Sequence, residues 1–234
     1  CTMKSDVTAF LSRAGAVGKE MQNYGADIRN HFETLFTHRR MTVYESLPES
    51  RSFVDVTVLE PTEEEPFYFL YTSGMSRMSM TSYPGSGGEE SSLAELYLMI
   101  PAKEEMRTVG GLRPWPVRLL AELGAFPHMY GMWFSYGFYL PLARDCEYTS
   151  TQGTFSGALM IQFDGELGTV PTADGHRIQL FMPFPLYAEE AELYGSVGPD
   201  ELTERILRYN GGTFLIDLKR PNAGLERHVG DLRK

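Results

Sequence analysis

The sequence predicts an α+β fold: a single domain with a mixed, largely antiparallel sheet and helices packed against it. Two observations carry this prediction. Apolar and polar residues alternate in several short runs, which is the period of a strand, and these runs follow one another without a helix after each. The 234 residues also show no internal repeat and no linker. We expect an N-terminal helix in residues 1–40, the main domain in 41–222 and a polar tail in 223–234.

The first forty residues have the spacing of an amphipathic helix. Apolar residues recur at intervals of three and four from Phe10 to Leu35, and Ser5 or Asp6 precedes them as a candidate N-cap. Gly25 is one of three glycines that weaken this helix and allow a break. We expect one apolar stripe of the helix to pack on the domain.

Three strands are predicted in the first half of the domain. Val54, Val56 and Val58 alternate with polar residues, which indicates a half-buried strand. Residues 67–72 form the next, and the acidic turn between them predicts a hairpin. A third strand, in residues 95–100, ends at Pro101.

The second half begins with a helix and returns to strands. Pro114 and Pro116 mark the helix start, and the aromatic run in residues 129–141 is strand-like. Alternation predicts strands in residues 155–163, 178–182 and 214–218. Pro199 opens a last helix, and the chain after Pro221 is expected to fray.

The formal net charge of −10 narrows the class of partner. An acidic surface repels phosphates, so nucleic acid is not an expected partner, and a basic protein fits better. Acidic clusters such as Glu63 to Glu65 and Glu189-Glu190 are interpreted as solvated faces, with an acidic docking face as the alternative.

Cysteine usage and hydropathy predict a cytoplasmic protein without cofactor or metal. The two cysteines, Cys1 and Cys146, form no ligand cluster, so a zinc site is not expected and a reducing compartment is the default. No apolar run approaches about 20 residues, the length of a membrane span. The sequence leaves the oligomeric state open.

Catalytic residues are not predicted, although two alternatives remain. A serine hydrolase needs a G-x-S-x-G turn, which neither Ser73 nor any other serine provides. A hydrolase using Ser73 or Cys146, activated by His128 or His176, is one alternative. The other is a small-molecule-binding module whose pocket is lined by residues 130–139.

Five segments, taken in order, resemble the suppressor of fused family. They are "VDVTVLEPTEEEPFYFLYTSGMSRMSM", "AELYLMIPA", "PWPVRLLAELGAFPH", "LFMPFPLYAEEAEL" and "DLKRPN". The "TSGMS" element and the Trp-Pro helix start are the most specific parts, and the resemblance extends from Val43 to Asn222. The succession carries the resemblance, because each motif alone is weak.

This resemblance implies a mixed α/β domain that binds proteins and has no known catalytic activity. In animals the family sequesters zinc-finger transcription factors of the hedgehog pathway, and a short peptide adds as a strand between two domains. The chain is similar to the compact, single-domain bacterial members, which are thought to include immunity proteins that neutralise toxins. The implied partner is therefore a protein, with a basic toxin as one form of it.

The resemblance also implies where a partner binds. A Tyr and an Asp that contact the peptide in the animal protein fall, counted without gaps from Trp115, at Phe126 and Phe138. The hydroxyl and the carboxylate are lost, which weakens the case for the animal ligand. The segment is still predicted to contact a partner through five residues, called the aromatic surface below: Phe126, Tyr130, Trp133, Tyr136 and Phe138.

The family motifs are otherwise expected to be structural. In the turn, Thr72 and Ser73 can bond to the backbone, Gly74 can take a positive φ, and Met75 can tuck under the sheet. The residues assigned to structural motifs are Thr72, Ser73, Gly74, Met75, Ser76, Trp115, Pro116, Asp217, Arg220 and Pro221.

Overall fold

The structure, a computed structural model, describes residues 23–46, 53–81, 92–104, 106, 113–142, 149–150 and 153–225. The predicted cap at Ser5 or Asp6 and the candidate nucleophile Cys146 lie outside these ranges.

Three α-helices and nine strands occur in the described residues. The helices are α1 (Gly25–Leu35), α2 (Trp115–Tyr130) and α3 (Ala188–Tyr209). The strands are β1 (Met41–Tyr44), β2 (Asp55–Leu59), β3 (Phe67–Ser73), β4 (Ala94–Pro101), β5 (Tyr139–Pro141), β6 (Thr149–Ser150), β7 (Gly153–Ile161), β8 (Thr169–Pro171) and β9 (Arg177–Tyr187). None of these helices combines the length and apolarity that crossing a membrane requires.

One mixed sheet organises the domain, as the sequence predicts. Its order is β1-β2-β3-β4-β9-β7-β5, with β6 paired to β7 and β8 to β9. Only the β4–β9 pair is parallel among the described strands, and the hairpin of β2 and β3 is antiparallel. The predicted α+β class with a largely antiparallel sheet is therefore confirmed.

Helices cover both faces of the sheet around β2 and β3. The Phe32 ring of α1 lies 4.4 Å from that of Tyr71, between ring centroids. On the opposite face, Gly124 of α2 is so close to Val54 that an added Cβ would lie 3.1 Å from its Cγ1. Strand β2 was expected to be half-buried, but Thr57 is also buried, because α1 covers its face of the sheet.

The aromatic run after α2 is mostly loop, in contrast to the predicted strand. Helix α2 extends to Tyr130 and is capped by Gly131 in the left-handed region, with φ 63°. A second left-handed glycine, Gly137 at φ 76°, turns the chain before the three-residue strand β5. Local backbone turns therefore override the strand propensity of the aromatic side chains.

Helix α3 begins eleven residues before the predicted start at Pro199. Gly198 lies inside it at φ 81° and ψ 178°, so that the chain kinks and Pro199 opens only the second half. The missed first half is capped by Glu190, whose Oε2 accepts a hydrogen bond from the Tyr187 amide at 2.9 Å.

Residues 214–218 do not form the predicted closing strand. Ile216 is buried and donates one backbone hydrogen bond to Met99 of β4, at 2.8 Å, but no ladder follows. The expected fraying after Pro221 is also wrong for the next two residues, because Asn222 and Ala223 are buried. This segment is a packed coil that closes over the sheet.

Candidate functional site

The "TSGMS" turn at the end of β3 is built around the buried carboxylate of Glu95. Oε1 of Glu95 accepts hydrogen bonds from the amides of Gly74 and Ser76, both at 3.0 Å, and from the Ser76 hydroxyl at 2.6 Å. Oε2 accepts from the Thr72 hydroxyl at 2.6 Å. No cation takes part in these contacts, so neutral donors alone hold the carboxylate.

Backbone geometry and burial explain which residues occupy this turn. Gly74 adopts φ 122°, and a Cβ there would lie 3.0 Å from the Phe53 carbonyl oxygen. Met75 and Ser76 are buried. Burial raises the pKa of Glu95, although the bonds from Ser76 and Thr72 act in the opposite direction. Sequence reasoning assigned Glu95 to the polar side of an alternating strand and missed this role. Its place inside the apolar run "AELYLMI" was the available signal.

Ser73 does not meet a histidine in the described part of the chain. It lines a cleft that contains no histidine. The His128 Nε2 atom instead lies 2.9 Å from the Met75 carbonyl oxygen, and the His176 Nε2 atom lies 3.9 Å from Asp174. The alternative of a Ser73 hydrolase activated by one of these histidines therefore has no support in the described residues. Nor do three or more acidic, His or Cys residues converge as a metal site within the described ranges.

A buried ion pair fixes the "DLKRPN" segment to α3. Arg220 contacts Glu190 through two parallel bonds, Nη1 to Oε1 at 2.5 Å and Nη2 to Oε2 at 2.6 Å. Both side chains are almost fully buried. Glu190 was interpreted as part of a solvated acidic face or a docking face, and the structure overturns both interpretations for this residue.

Further bonds extend this clamp to the sheet. Arg220 Nη2 donates to the Pro185 carbonyl of β9 at 2.7 Å, and the Ala223 amide donates to Glu190 Oε1 at 2.9 Å. The guanidinium carbon lies 4.5 Å from the ring centroid of Tyr187. The coil therefore joins α3 and β9 through one arginine.

The remaining motif residues lie at the start of α2 and in the coil of residues 214–218. Trp115 is the first residue of α2, preceded by Pro114 at the N-cap, and Pro116 is buried. Asp217 lies in the coil and pairs with Lys103, and its Oδ1 accepts from the Lys219 amide at 2.8 Å. Thus Asp217 holds the coil near the end of β4.

The aromatic surface is exposed at two of its five residues. Tyr130 is 60% exposed and Tyr136 is 41% exposed, while the other three are half-buried. The rings of Phe126 and Tyr130 lie 4.5 Å apart at the end of α2. Elsewhere, the Tyr136 hydroxyl donates to Asp200 of α3 at 2.7 Å. The five residues therefore occur as two groups, Phe126 and Tyr130 at the end of α2 and the other three in the loop that follows it.

The half-buried members connect this loop to the core. Phe138 lies next to Phe134, with ring centroids 5.7 Å apart, and Phe134 is buried. Phe138 also accepts a backbone hydrogen bond from Met160 of β7, at 2.9 Å. The loop is consequently held against the sheet just before the edge strand β5.

Comparisons with known proteins agree with this architecture. A family model described as Suppressor of fused protein (SUFU) matches residues 51–221. A SUFU homologue from Neisseria gonorrhoeae is similar in structure, with a TM-score of 0.61, 15% identity, and coverage of 86% of this chain and 96% of that chain. No curated protein matches the sequence.

Two further solved structures are similar. A chain in the Sufu–Fu complex has a TM-score of 0.60 and 16% identity, over 92% of this chain and 95% of that chain. Drosophila Suppressor of Fused has the same score and identity over 92% of this chain, but only 53% of its own length is covered. At such identities these structures show a shared fold, whereas the family model matches most of the chain itself. The chain therefore belongs to the suppressor of fused family.

Proposed function

We propose that this chain is a non-catalytic protein-binding domain that acts as an immunity protein and neutralises a partner toxin. The observation that carries the proposal is the exposed Tyr130 at the end of α2, whose ring lies 4.5 Å from that of the half-buried Phe126. Family membership supports it, and one similar structure is that of a Sufu–Fu complex. Exposed aromatic side chains anchor protein interfaces because they bury large areas at small entropic cost.

Position in the fold supports the aromatic surface as the contact. It leads into β5, the last strand in the described sheet order, so a partner segment could add beside it. Glu122, one helical turn before Phe126, is exposed. Together with the net charge of −10, it favours a basic partner and a fast encounter.

Co-expression of the chain with each protein encoded beside it in its genome tests the proposal, and one of these proteins should arrest growth when expressed alone. The chain should restore growth, and the purified pair should bind. Tyr130→Asp should weaken binding about tenfold or more, because it places a charge in a desolvated contact. Leu225→Asp is the matched control: Leu225 is 63% exposed and apolar but lies outside the aromatic surface.

The outcomes separate the levels of the proposal. Binding without protection of growth would retain a protein-binding function and remove the immunity role. Absence of binding, or equal weakening by Tyr130→Asp and Leu225→Asp, would contradict the aromatic surface as the contact. Catalytic turnover by the purified chain would contradict the non-catalytic assignment.

A further inference from the structure

A polar cleft of about 480 Å³ lies between the start of α1 and the β2–β3 hairpin. This volume is within the range of small-molecule sites. None of the five residues of the aromatic surface lines it. Its lining includes two arginines, Arg29 on α1 and Arg77 just after the "TSGMS" turn, so the cleft concentrates positive charge on an acidic protein.

Neither arginine is neutralised by a described acidic residue. No ion pair within 4.0 Å links Arg29 or Arg77 to a carboxylate in the part of the chain that the structure describes. Among the described residues of the lining, Asp55 is the one acidic side chain, and its Oδ1 accepts a hydrogen bond from the Ser46 amide at 2.7 Å. Two guanidinium groups with unpaired forks therefore face the same space.

Hydroxyl and amide donors surround these two cations. Tyr71 lines the cleft although only 2% of its surface is exposed, and Thr57 is its hydrogen-bonding neighbour. Ser73 adds a further hydroxyl to the lining. Ala26, in the first turn of α1, also lines the cleft, where helix amides lack intrahelical acceptors, whereas the amide of the neighbouring Gly25 donates to Asn23 Oδ1 at 3.2 Å. The cleft is therefore bordered by a buried phenol as well as by exposed donors.

This donor set suits a phosphate better than a carboxylate. The two guanidinium groups outweigh the single Asp55 carboxylate, so the described lining carries a net charge of +1 and favours an anion, and its hydroxyls and helix amide add donors beyond what two carboxylate oxygens can accept. The described part of the lining contains no histidine or cysteine, the ligands that a zinc or copper site prefers. The volume also leaves room beside the phosphate group for an organic part.

We propose that this cleft binds the phosphate group of a small organic phosphate, held between Arg29 and Arg77 with Ser73 and Tyr71 as further donors. The site is independent of the protein-binding function proposed above.

Calorimetric titration of the full chain with inorganic phosphate and with glycerol 3-phosphate tests the proposal, with acetate at equal ionic strength as the carboxylate probe. Saturable binding of both phosphates is expected, and acetate should bind at least about tenfold more weakly. Arg29→Gln and Arg77→Gln should each weaken phosphate binding about tenfold or more, since each removes charge-assisted hydrogen bonds. Arg40→Gln is the control, because Arg40 is a largely exposed arginine outside the cleft.

Arg77→Lys and Ser73→Ala provide milder variants if a glutamine variant fails to fold. Arg77→Lys keeps the positive charge but loses the two parallel N–H donors of the guanidinium group, and Ser73→Ala removes one hydroxyl. Each should weaken phosphate binding severalfold. The proposal is overturned if phosphate does not bind saturably, if acetate binds equally well, or if Arg40→Gln weakens binding as much as the cleft variants.

Discussion

Glu95 and Glu190 are both buried carboxylates, but the chain surrounds them differently. Glu95, on β4, accepts four hydrogen bonds from amides and hydroxyls of the turn at the end of β3, and no cation contacts it. Glu190 faces the guanidinium group of Arg220 in a two-bond ion pair. The same functional group is thus accommodated once by neutral dipoles and once by a full charge.

The difference shows what each site contributes to the fold. The donors around Glu95 come from three neighbouring residues of one turn, so that this site specifies local geometry. The clamp at Glu190 joins residues 30 positions apart, and Arg220 is its one cationic partner beside the amide donors of Tyr187 and Ala223. A local network can lose one donor and retain the others, whereas the ion pair cannot lose its arginine without leaving a buried charge.

The largest expected effect is that of Arg220→Met. Removal of one partner leaves Glu190 buried and uncompensated, so we expect a loss of about 3–5 kcal/mol in the free energy of unfolding. Urea unfolding measures it. The double variant Arg220→Met with Glu190→Met should recover part of the loss, and a single-variant cost below about 1 kcal/mol would contradict the clamp.

Glu95→Ala should have the second-largest effect, a loss of about 2–4 kcal/mol in the free energy of unfolding, because two amides and two hydroxyls in a buried turn lose their acceptor. The comparison with Arg220→Met is made in the same urea series. Glu64→Ala, at an exposed position of the turn between β2 and β3, is the control and should change stability by less than about 0.5 kcal/mol. Equal effects at the two positions would refute the role of Glu95.

Glu95→Gln separates charge from hydrogen bonding through pH. Burial raises the pKa of Glu95 in the folded state, so the folded chain binds more protons than the unfolded chain above the ordinary value of 4.5. The stability of the wild type relative to Glu95→Gln should therefore fall as pH rises from 4.5 through the folded-state pKa. Unfolding curves across this range measure the difference, and a constant difference would show that the folded-state pKa is not raised.

The smallest effect is expected at Tyr97, two residues from Glu95 on the same face of β4. Its buried hydroxyl has no hydrogen-bond partner among the residues that the structure describes, in contrast to the carboxylate of Glu95, which accepts four hydrogen bonds. Tyr97→Phe removes this unsatisfied group at almost constant shape and should stabilise the chain by up to about 1 kcal/mol. Thermal unfolding checks it, and a clear destabilisation would indicate that the hydroxyl has a partner.

The parts of the fold that sequence predicts are those set by local periodicity. Alternation located β2, β4, β7 and β9, and the Pro114 signal located the start of α2. Alternation gave a wrong prediction for residues 214–218. This segment buries its apolar side chains as a coil, which one backbone hydrogen bond to β4 and the contacts of Asp217 hold in place.

The burial of Glu95 and Glu190 was also missed, because it depends on residues that are distant in the sequence. A glutamate in a sequence carries no sign of its partner, and the donors of Glu95 and the cation of Glu190 lie 19 to 30 residues away. The aromatic residues were located as a group by composition, but their exposure depends on packing. Tyr130 is exposed whereas Phe134 is buried, although both belong to the same aromatic run.

The late position of Arg220 in the chain has a consequence for biosynthesis. A nascent chain that has emerged only as far as α3 holds Glu190 without its guanidinium partner and β9 without the coil that covers it. Ribosomal synthesis must therefore deliver Ala223 before the core can close, and a chain released earlier would present an apolar sheet to chaperones and proteases.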